Sequence, residues 1–143
     1  MSNRRFERES DNPGVIRSVA VTVDDVVTAL EANASADRGA VLRITPPFSG
    51  RMRARIHVAA DDSGYEGEPE PIHLDPAALV SDVPAYPTVD ETVADHEEDL
   101  ETRRQRHTER VETWRETVRK RLGERVSVDH PAGRLDAQLY ALG

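Results

Sequence analysis

The chain of 143 residues contains no cysteine. This absence excludes a disulfide framework, zinc–thiolate sites and thiol nucleophiles, and it suits a reducing cytoplasm. The apolar runs are only a few residues long, far short of the roughly 20 that a membrane-spanning helix needs. Residues 1–14 carry six charged side chains and no apolar h-region, so they do not resemble a signal peptide. We therefore expect a soluble, cytoplasmic protein with a disordered tail over residues 1–14.

Lysine and aromatic residues are also scarce. Arginine supplies 18 of the 19 basic residues, Lys120 is the single lysine, and aromatic residues make up only 4% of the chain. The 27 acidic residues leave a net charge of −8. Because a carboxylate surplus keeps proteins soluble in concentrated salt, the composition predicts an acidic, halophilic protein. An ordinary acidic protein from a high-GC genome, which would also be rich in arginine and alanine, is the alternative.

The acidic residues are unevenly distributed along the chain. Residues 61–100 hold 13 acidic residues and no basic one, whereas residues 1–60 have a net charge of +2 and residues 101–143 a net charge of +3. The acidic segment could therefore serve as an intramolecular counterion for basic residues on either side of it.

Hydrophobic periodicity predicts an α+β fold in a single domain over residues 15–143. A capping box at Thr22 opens a short helix that reaches about residue 33, and Asp75-Pro76 opens one or two further helical turns. A hairpin that closes the domain is predicted over residues 124–142, and an acidic loop and linker over residues 61–88. Strands are predicted over residues 15–21, 40–45, 51–59, 72–74, 124–129 and 134–142. We expect them to form a small antiparallel sheet of about five to six strands, with the helices on one face.

The longest predicted helix covers residues 89–122 and begins at a capping box opened by Thr88. Its apolar stripe includes Val111 and Trp114. About 35 residues would span about 50 Å, which is long for one small domain. The N-terminal half is therefore expected to project, to break, or to pack on a partner. Trp114 and Val111 are either core residues or the anchors of a self-association interface.

The most distinctive local feature is a row of arginines on the third predicted strand. Arg51, Arg53, Arg55 and His57 alternate with apolar residues, and a hairpin with the preceding strand would place Arg43 on the same face. Guanidinium groups this close together attract an anion, and their planar fork fits carboxylate or phosphate. Phe48, at the tip of the intervening loop, could add a stacking surface for a base. The alternative is a solvated face paired with the chain's own carboxylates.

Motifs for catalysis, cofactors and metals are missing. The sequence has no G-x-S-x-G elbow, no glycine-rich phosphate loop and no His-Glu-x-x-His spacing. His96 and His107 would lie on one helical face but about 16 Å apart, too far to share a metal ion. We therefore expect no catalytic residue, no metal and no cofactor, and we favour a binding protein over an enzyme acting on an anionic substrate.

Several stretches resemble a family of uncharacterised proteins found in haloarchaea. The resemblance rests on Thr-Pro-Pro-Phe-Ser-Gly-Arg-Met-Arg-Ala-Arg-Ile-His-Val over residues 45–58, with weaker matches at residues 71–74, 84–87 and 114–119. The resemblance covers most of the chain after Gly14. It implies a haloarchaeal setting but no activity. From the residues, we expect the arginine face to bind an acidic protein segment, with self-association through the long helix. A nucleic-acid-binding or regulatory role through the same arginines is the second expectation.

Overall fold

A computed structural model describes residues 10–58, 70–88 and 99–143 and has an α+β fold, which confirms the predicted class. The described strands and α-helices are β1 (Ser18–Thr22), α1 (Val23–Ala36), β2 (Ala40–Ile44), β3 (Arg51–Arg53), β4 (Arg55–Val58), β5 (Ile72–Leu74), α2 (Leu100–Lys120), β6 (Arg125–His130) and β7 (Gly133–Leu142). No helix within these three described ranges is long and apolar enough to span a membrane.

The first sheet has four strands in the order β3-β1-β7-β6. β1 lies in its interior and runs parallel to both β3 and β7, whereas β6 and β7 form the predicted closing hairpin. Val19 and Val21 point from β1 into the core and are fully buried. The predicted single antiparallel sheet is therefore wrong, because two of the pairings join parallel segments that lie far apart in the sequence.

The second sheet has three antiparallel strands in the order β4-β2-β5. Its buried face carries Leu42, Ile44, Ile72 and Leu74, each at most 1% exposed. The predicted hairpin between residues 40–45 and 51–59 is thus correct only for β4. The first part of that segment, β3, belongs to the other sheet.

Local capping signals place α1 as predicted. The Thr22 side chain accepts a hydrogen bond from the Asp25 N–H at 3.1 Å, and the helix ends at Asp37, which adopts the left-handed conformation. Asp75 caps a 3₁₀ turn over Pro76–Leu79 in the same way, accepting from the Ala77 N–H at 2.9 Å. Each cap satisfies a backbone donor that the first helical turn leaves unpaired.

The long helix, α2, begins at Leu100 and not near residue 89. Asp99 has extended backbone angles and accepts the Thr102 N–H at 2.8 Å, so it is the N-cap and a continuous helix over residues 89–122 is wrong. Residues 89–98 lie outside the described part. α2 packs against α1, where the Arg119 and Asp24 side chains are 3.1 Å apart.

The N-terminal segment contacts the fold from residue 10 onward. Ser10 exchanges two backbone hydrogen bonds with Phe48, and Pro13 is buried at the start of a short 3₁₀ helix. Residues 10–14 of the predicted tail are thus part of the fold, because Ser10 pairs with the loop between β2 and β3 and Pro13 is buried. The rest of that tail, residues 1–9, and residues 59–69, which include the first part of the predicted acidic loop and linker, lie outside the described residues.

Candidate functional site

Ala54 marks the point at which one extended segment passes from the first sheet to the second. Its side chain is fully buried, and its N–H donates to the Ala20 carbonyl at 2.9 Å. The residues just before Ala54 pair with β1, and Arg55 just after it lies opposite Arg43 of β2. The exposed side chains of β3 and β4 therefore project from two sheets that meet at this corner.

The predicted arginines surround a shallow, open cavity of about 380 Å³ at this corner. We call Arg43, Arg51, Arg53 and Arg55 the arginine cluster. The cavity is lined by Arg43, Thr45, Arg51, Met52, Arg53, Arg55, Ile56 and His57. The structure thus brings together five of the six residues predicted to bind an anion or partner.

Three arginines of the cluster, Arg51, Arg53 and Arg55, have no acidic partner within the described part of the chain. Across residues 10–58, 70–88 and 99–143, no carboxylate lies within ion-pair distance of Arg51, Arg53 or Arg55. In contrast, five other arginines each pair with an acidic side chain: Arg115, Arg119, Arg121, Arg125 and Arg134. The cluster is therefore a concentration of positive charge on a protein whose net charge is negative.

Histidines border the cluster on the second sheet. Nη1 of Arg43 lies 3.2 Å from Nδ1 of His57, whose ring stacks on that of His73 with centroids 5.8 Å apart. Because a guanidinium only donates hydrogen bonds, the facing ring nitrogen of His57 acts as the acceptor. This contact fixes the direction of Arg43 within the cavity.

Phe48 cannot stack on a ligand. Its side chain is fully buried, and its ring meets that of His130 edge-on with centroids 6.3 Å apart. The prediction of an exposed loop tip is wrong because Ser10 pairs with the Phe48 backbone and turns the residue inward.

Tyr140 was missed by the sequence reasoning. It lies on β7 beside Ala20 of β1, which in turn lies beside Arg53 of β3, and its side chain is 49% exposed. Alternation along β7, with Leu139 buried, is a signal that could have placed Tyr140 outward. Its proximity to the arginines follows only from the parallel pairing of β1, which the sequence pattern does not reveal.

Trp114 and Val111, the predicted interface anchors, are directed into the protein. They are 4% and 7% exposed, respectively. The indole N–H of Trp114 donates to the Pro84 carbonyl at 2.9 Å, and its ring meets that of Tyr86 edge-on with centroids 5.0 Å apart. Both side chains therefore serve the packing of α2, which was the other interpretation of this stripe.

A second, smaller cavity of about 250 Å³ lies beside a paired cluster of Glu31, Tyr86 and Arg115. Arg115 donates two hydrogen bonds to the Glu31 carboxylate, at 2.8 and 2.9 Å, and the Tyr86 hydroxyl donates a third at 2.9 Å. The hydrogen bonds from Arg115 hold the pKa of Glu31 below its usual value. Burial, followed by the bond to Glu31, raises the pKa of Tyr86. Because these groups satisfy one another, the arrangement suits a structural role.

Metal chemistry finds no support in the parts of the chain that the structure describes. They contain no group of three or more histidine, aspartate or glutamate side chains that could hold an ion. The guanidinium donors that line the larger cavity instead favour an anion as its ligand.

Comparison with known proteins gives a family and no activity. No curated protein and no solved structure matches the chain. One family model, described as "Domain of unknown function (DUF8009)", matches residues 6–143, which includes part of the N-terminal segment that the resemblance left outside. Since this match covers nearly the whole sequence, the chain belongs to the DUF8009 family of domains of unknown function.

Proposed function

We propose that this protein is a non-enzymatic binding protein whose arginine cluster engages an anionic group of a macromolecular partner. The observation that carries the proposal is the cavity of about 380 Å³ that the four arginines surround. Carboxylate and phosphate groups both accept paired hydrogen bonds from a guanidinium, so either fits the donors of this cavity.

The surroundings of the cavity support binding in preference to catalysis. The cavity is shallow and open to solvent, and its lining supplies positive charge, one imidazole and the apolar side chains of Met52 and Ile56. Among the described residues that line the cavity there is no carboxylate, and Thr45 is the one hydroxyl. Such a surface can hold and orient an anion, and it lacks the carboxylates that commonly serve as a general base or as the orienting partner of a histidine.

The anion has two sources that an experiment can separate. An acidic protein segment would present carboxylates, and a nucleic acid would present phosphates. We would measure fluorescence anisotropy of a short labelled polyglutamate peptide and of a short labelled oligonucleotide, each titrated with the purified protein from low salt to molar KCl. We expect at least one probe to bind, with an affinity that falls as salt rises.

The matched variants are Arg53→Glu in the cluster and Arg104→Glu on the exposed surface of α2. Both change the net charge equally, so they separate a local site from a general charge effect. Arg53→Glu should weaken binding by at least about tenfold, because it removes charge-assisted hydrogen bonds. Arg104→Glu should leave affinity nearly unchanged. Equal losses in the two variants, or no binding of either probe to the wild type, would refute the proposal.

A further inference from the structure

The outward face of the first sheet continues the arginine cluster across three strands. Its side chains alternate with the buried Val19, Val21 and Leu139, so they point away from the core. The strand register places them in two rows, which we call the platform: Arg51–Ser18–Gln138 and Arg53–Ala20–Tyr140. Each row runs from an arginine at the β3 edge, over a small residue of β1, to a larger side chain on β7.

The shape of the platform leaves room for a flat ligand. Ser18 and Ala20 are the smallest side chains of the two rows and lie between the larger ones. Neighbouring strands are about 4.8 Å apart, so an arginine and its counterpart on β7 are separated by about 10 Å. The Tyr140 ring therefore borders a shallow trough whose opposite wall is cationic.

Tyr140 is unusual among the aromatic residues whose positions the structure describes. Phe48 is fully buried and Trp114 is 4% exposed, whereas Tyr140 is 49% exposed. An aromatic ring that contributes little to the core, next to a row of arginines, is what a binding surface for bases requires.

The charge of the platform is graded from one edge to the other. Arg51 and Arg53 at the β3 edge lead directly to Arg43 and Arg55 in the cavity. At the opposite edge, Arg125 is 3.1 Å from Asp136 and is therefore largely neutralised. A polyanion that follows positive charge would run along the β3 edge, with its bases turned across β1 toward Tyr140.

We propose that the platform binds single-stranded nucleic acid, with a base stacked on Tyr140 and the neighbouring phosphates held by Arg53 and Arg51. This inference rests on the proposed function, because it names the partner whose anion the arginine cluster engages. Exposed aromatic side chains on a four-stranded sheet stack bases of single strands. A duplex buries the faces of its bases, and an acidic peptide has no base, so neither uses Tyr140. Ser18 and Gln138 supply hydrogen-bonding groups for base edges between the two walls.

The deciding experiment compares three probes with the same label: a single-stranded oligonucleotide, the duplex of the same sequence and a polyglutamate peptide. We expect the single strand to bind more tightly than either of the other two. Tyr140→Ala should weaken single-strand binding by about tenfold, the size expected for the loss of one stacked base. It should leave the slope of log affinity against log salt unchanged, whereas Arg53→Ala should reduce that slope by about 1.

Two further variants control the interpretation. Tyr140→Phe keeps the ring and should retain affinity. Leu142→Ala removes another exposed apolar side chain from β7, 42% exposed in the wild type, and should have little effect. Thermal melts followed by the fluorescence of Trp114, the single tryptophan, verify that each variant is folded.

Each result decides between the two proposals. If polyglutamate binds through Arg53 and the single strand does not, the proposed function stands and the nucleic-acid inference fails. If the single strand and the duplex bind equally and Tyr140→Ala has no effect, phosphate attraction alone explains binding and the platform inference is overturned. If no probe binds, both proposals fail together.

Discussion

At the scale of single residues, Glu31 joins three parts of the chain. Its carboxylate accepts hydrogen bonds from Arg115 of α2 and from Tyr86 of the linker before α2, while Glu31 itself belongs to α1. The side chain is 23% exposed, so solvent competes only partly for these bonds. Hydrogen bonds to a charged group of this kind contribute about 1.5–3 kcal/mol to stability.

We predict that Glu31→Gln lowers the free energy of unfolding by about 1–3 kcal/mol at neutral pH. The pKa of Glu31 is lowered from 4.5 in the folded protein, so the ionised carboxylate stabilises the fold above that value. As pH falls below 4.5 and through the lowered pKa, this contribution is lost. The stability difference between wild type and variant should therefore narrow in acid, as urea unfolding at several pH values would measure.

Glu112→Gln is the matched control for this prediction. Glu112 also pairs with Arg115, but its side chain is 57% exposed, and exposed ion pairs contribute little. Its substitution should change the free energy of unfolding by less than about 0.5 kcal/mol. A gap between wild type and Glu31→Gln that stayed constant into strong acid would contradict the assignment of the stabilisation to the ionised carboxylate.

At the scale of elements, the start of α1 depends on one hydroxyl. We predict that Thr22→Ala lowers the free energy of unfolding by about 1 kcal/mol, because the Asp25 N–H loses its acceptor at the first turn. Thr22→Ser should restore most of the loss, since serine offers the same oxygen. Thr28→Ala, on the exposed side of the same helix, should be neutral or slightly stabilising. Equal losses at the two positions would contradict a specific role of the Thr22 hydroxyl in capping.

The elements that the sequence predicted well are those specified by neighbouring residues. The caps at Thr22 and Asp75 and the closing hairpin depend on residues within a few positions, so local patterns locate them. The start of α2 was misplaced because the sequence pattern favours the capping box at Thr88 as its N-terminus, whereas the Asp99 side chain accepts the Thr102 N–H at the first turn. The extended backbone at Asp99, which fixes this N-cap, is a structural feature that the sequence pattern did not predict.

The candidate site was predicted in part, because some of its features also depend only on neighbouring residues. Period-two alternation depends only on neighbours, and it placed the arginines of β3 and β4 on one side as the structure has them. Phe48 was misjudged and Tyr140 was missed, because their environments depend on Ser10 and Ala20, which are distant in sequence. Parallel pairing leaves no turn signal between partners, so composition and spacing carry no trace of it.

At the scale of the whole molecule, the arginine cluster depends on how the two sheets meet at Ala54. We predict that Ala54→Leu lowers the free energy of unfolding by about 1–3 kcal/mol, because this fully buried position has no room for a larger side chain. It should also weaken anion binding well below the melting temperature, since it displaces Arg53 relative to Arg55. Calorimetry and anisotropy on the same preparation would measure the two effects.

Ala34→Leu, an exposed position on α1, is the control for added volume and should change the free energy of unfolding by less than about 0.5 kcal/mol. If Ala54→Leu lowered stability but left affinity intact, the corner would support the fold without setting the spacing of the guanidinium groups.

The interior position of β1 also has a consequence for synthesis. β1 leaves the ribosome long before one of its two partners, β7, which is encoded more than a hundred residues later. Until residues 133–142 have been made, one edge of β1 has no strand to pair with. The side chains of Val19 and Val21 then lack part of the packing that buries them in the folded protein. Exposed edges of this kind invite aggregation. Slow translation of the second half should therefore increase the demand for chaperones, whereas the hairpin of β6 and β7 can form as soon as it emerges.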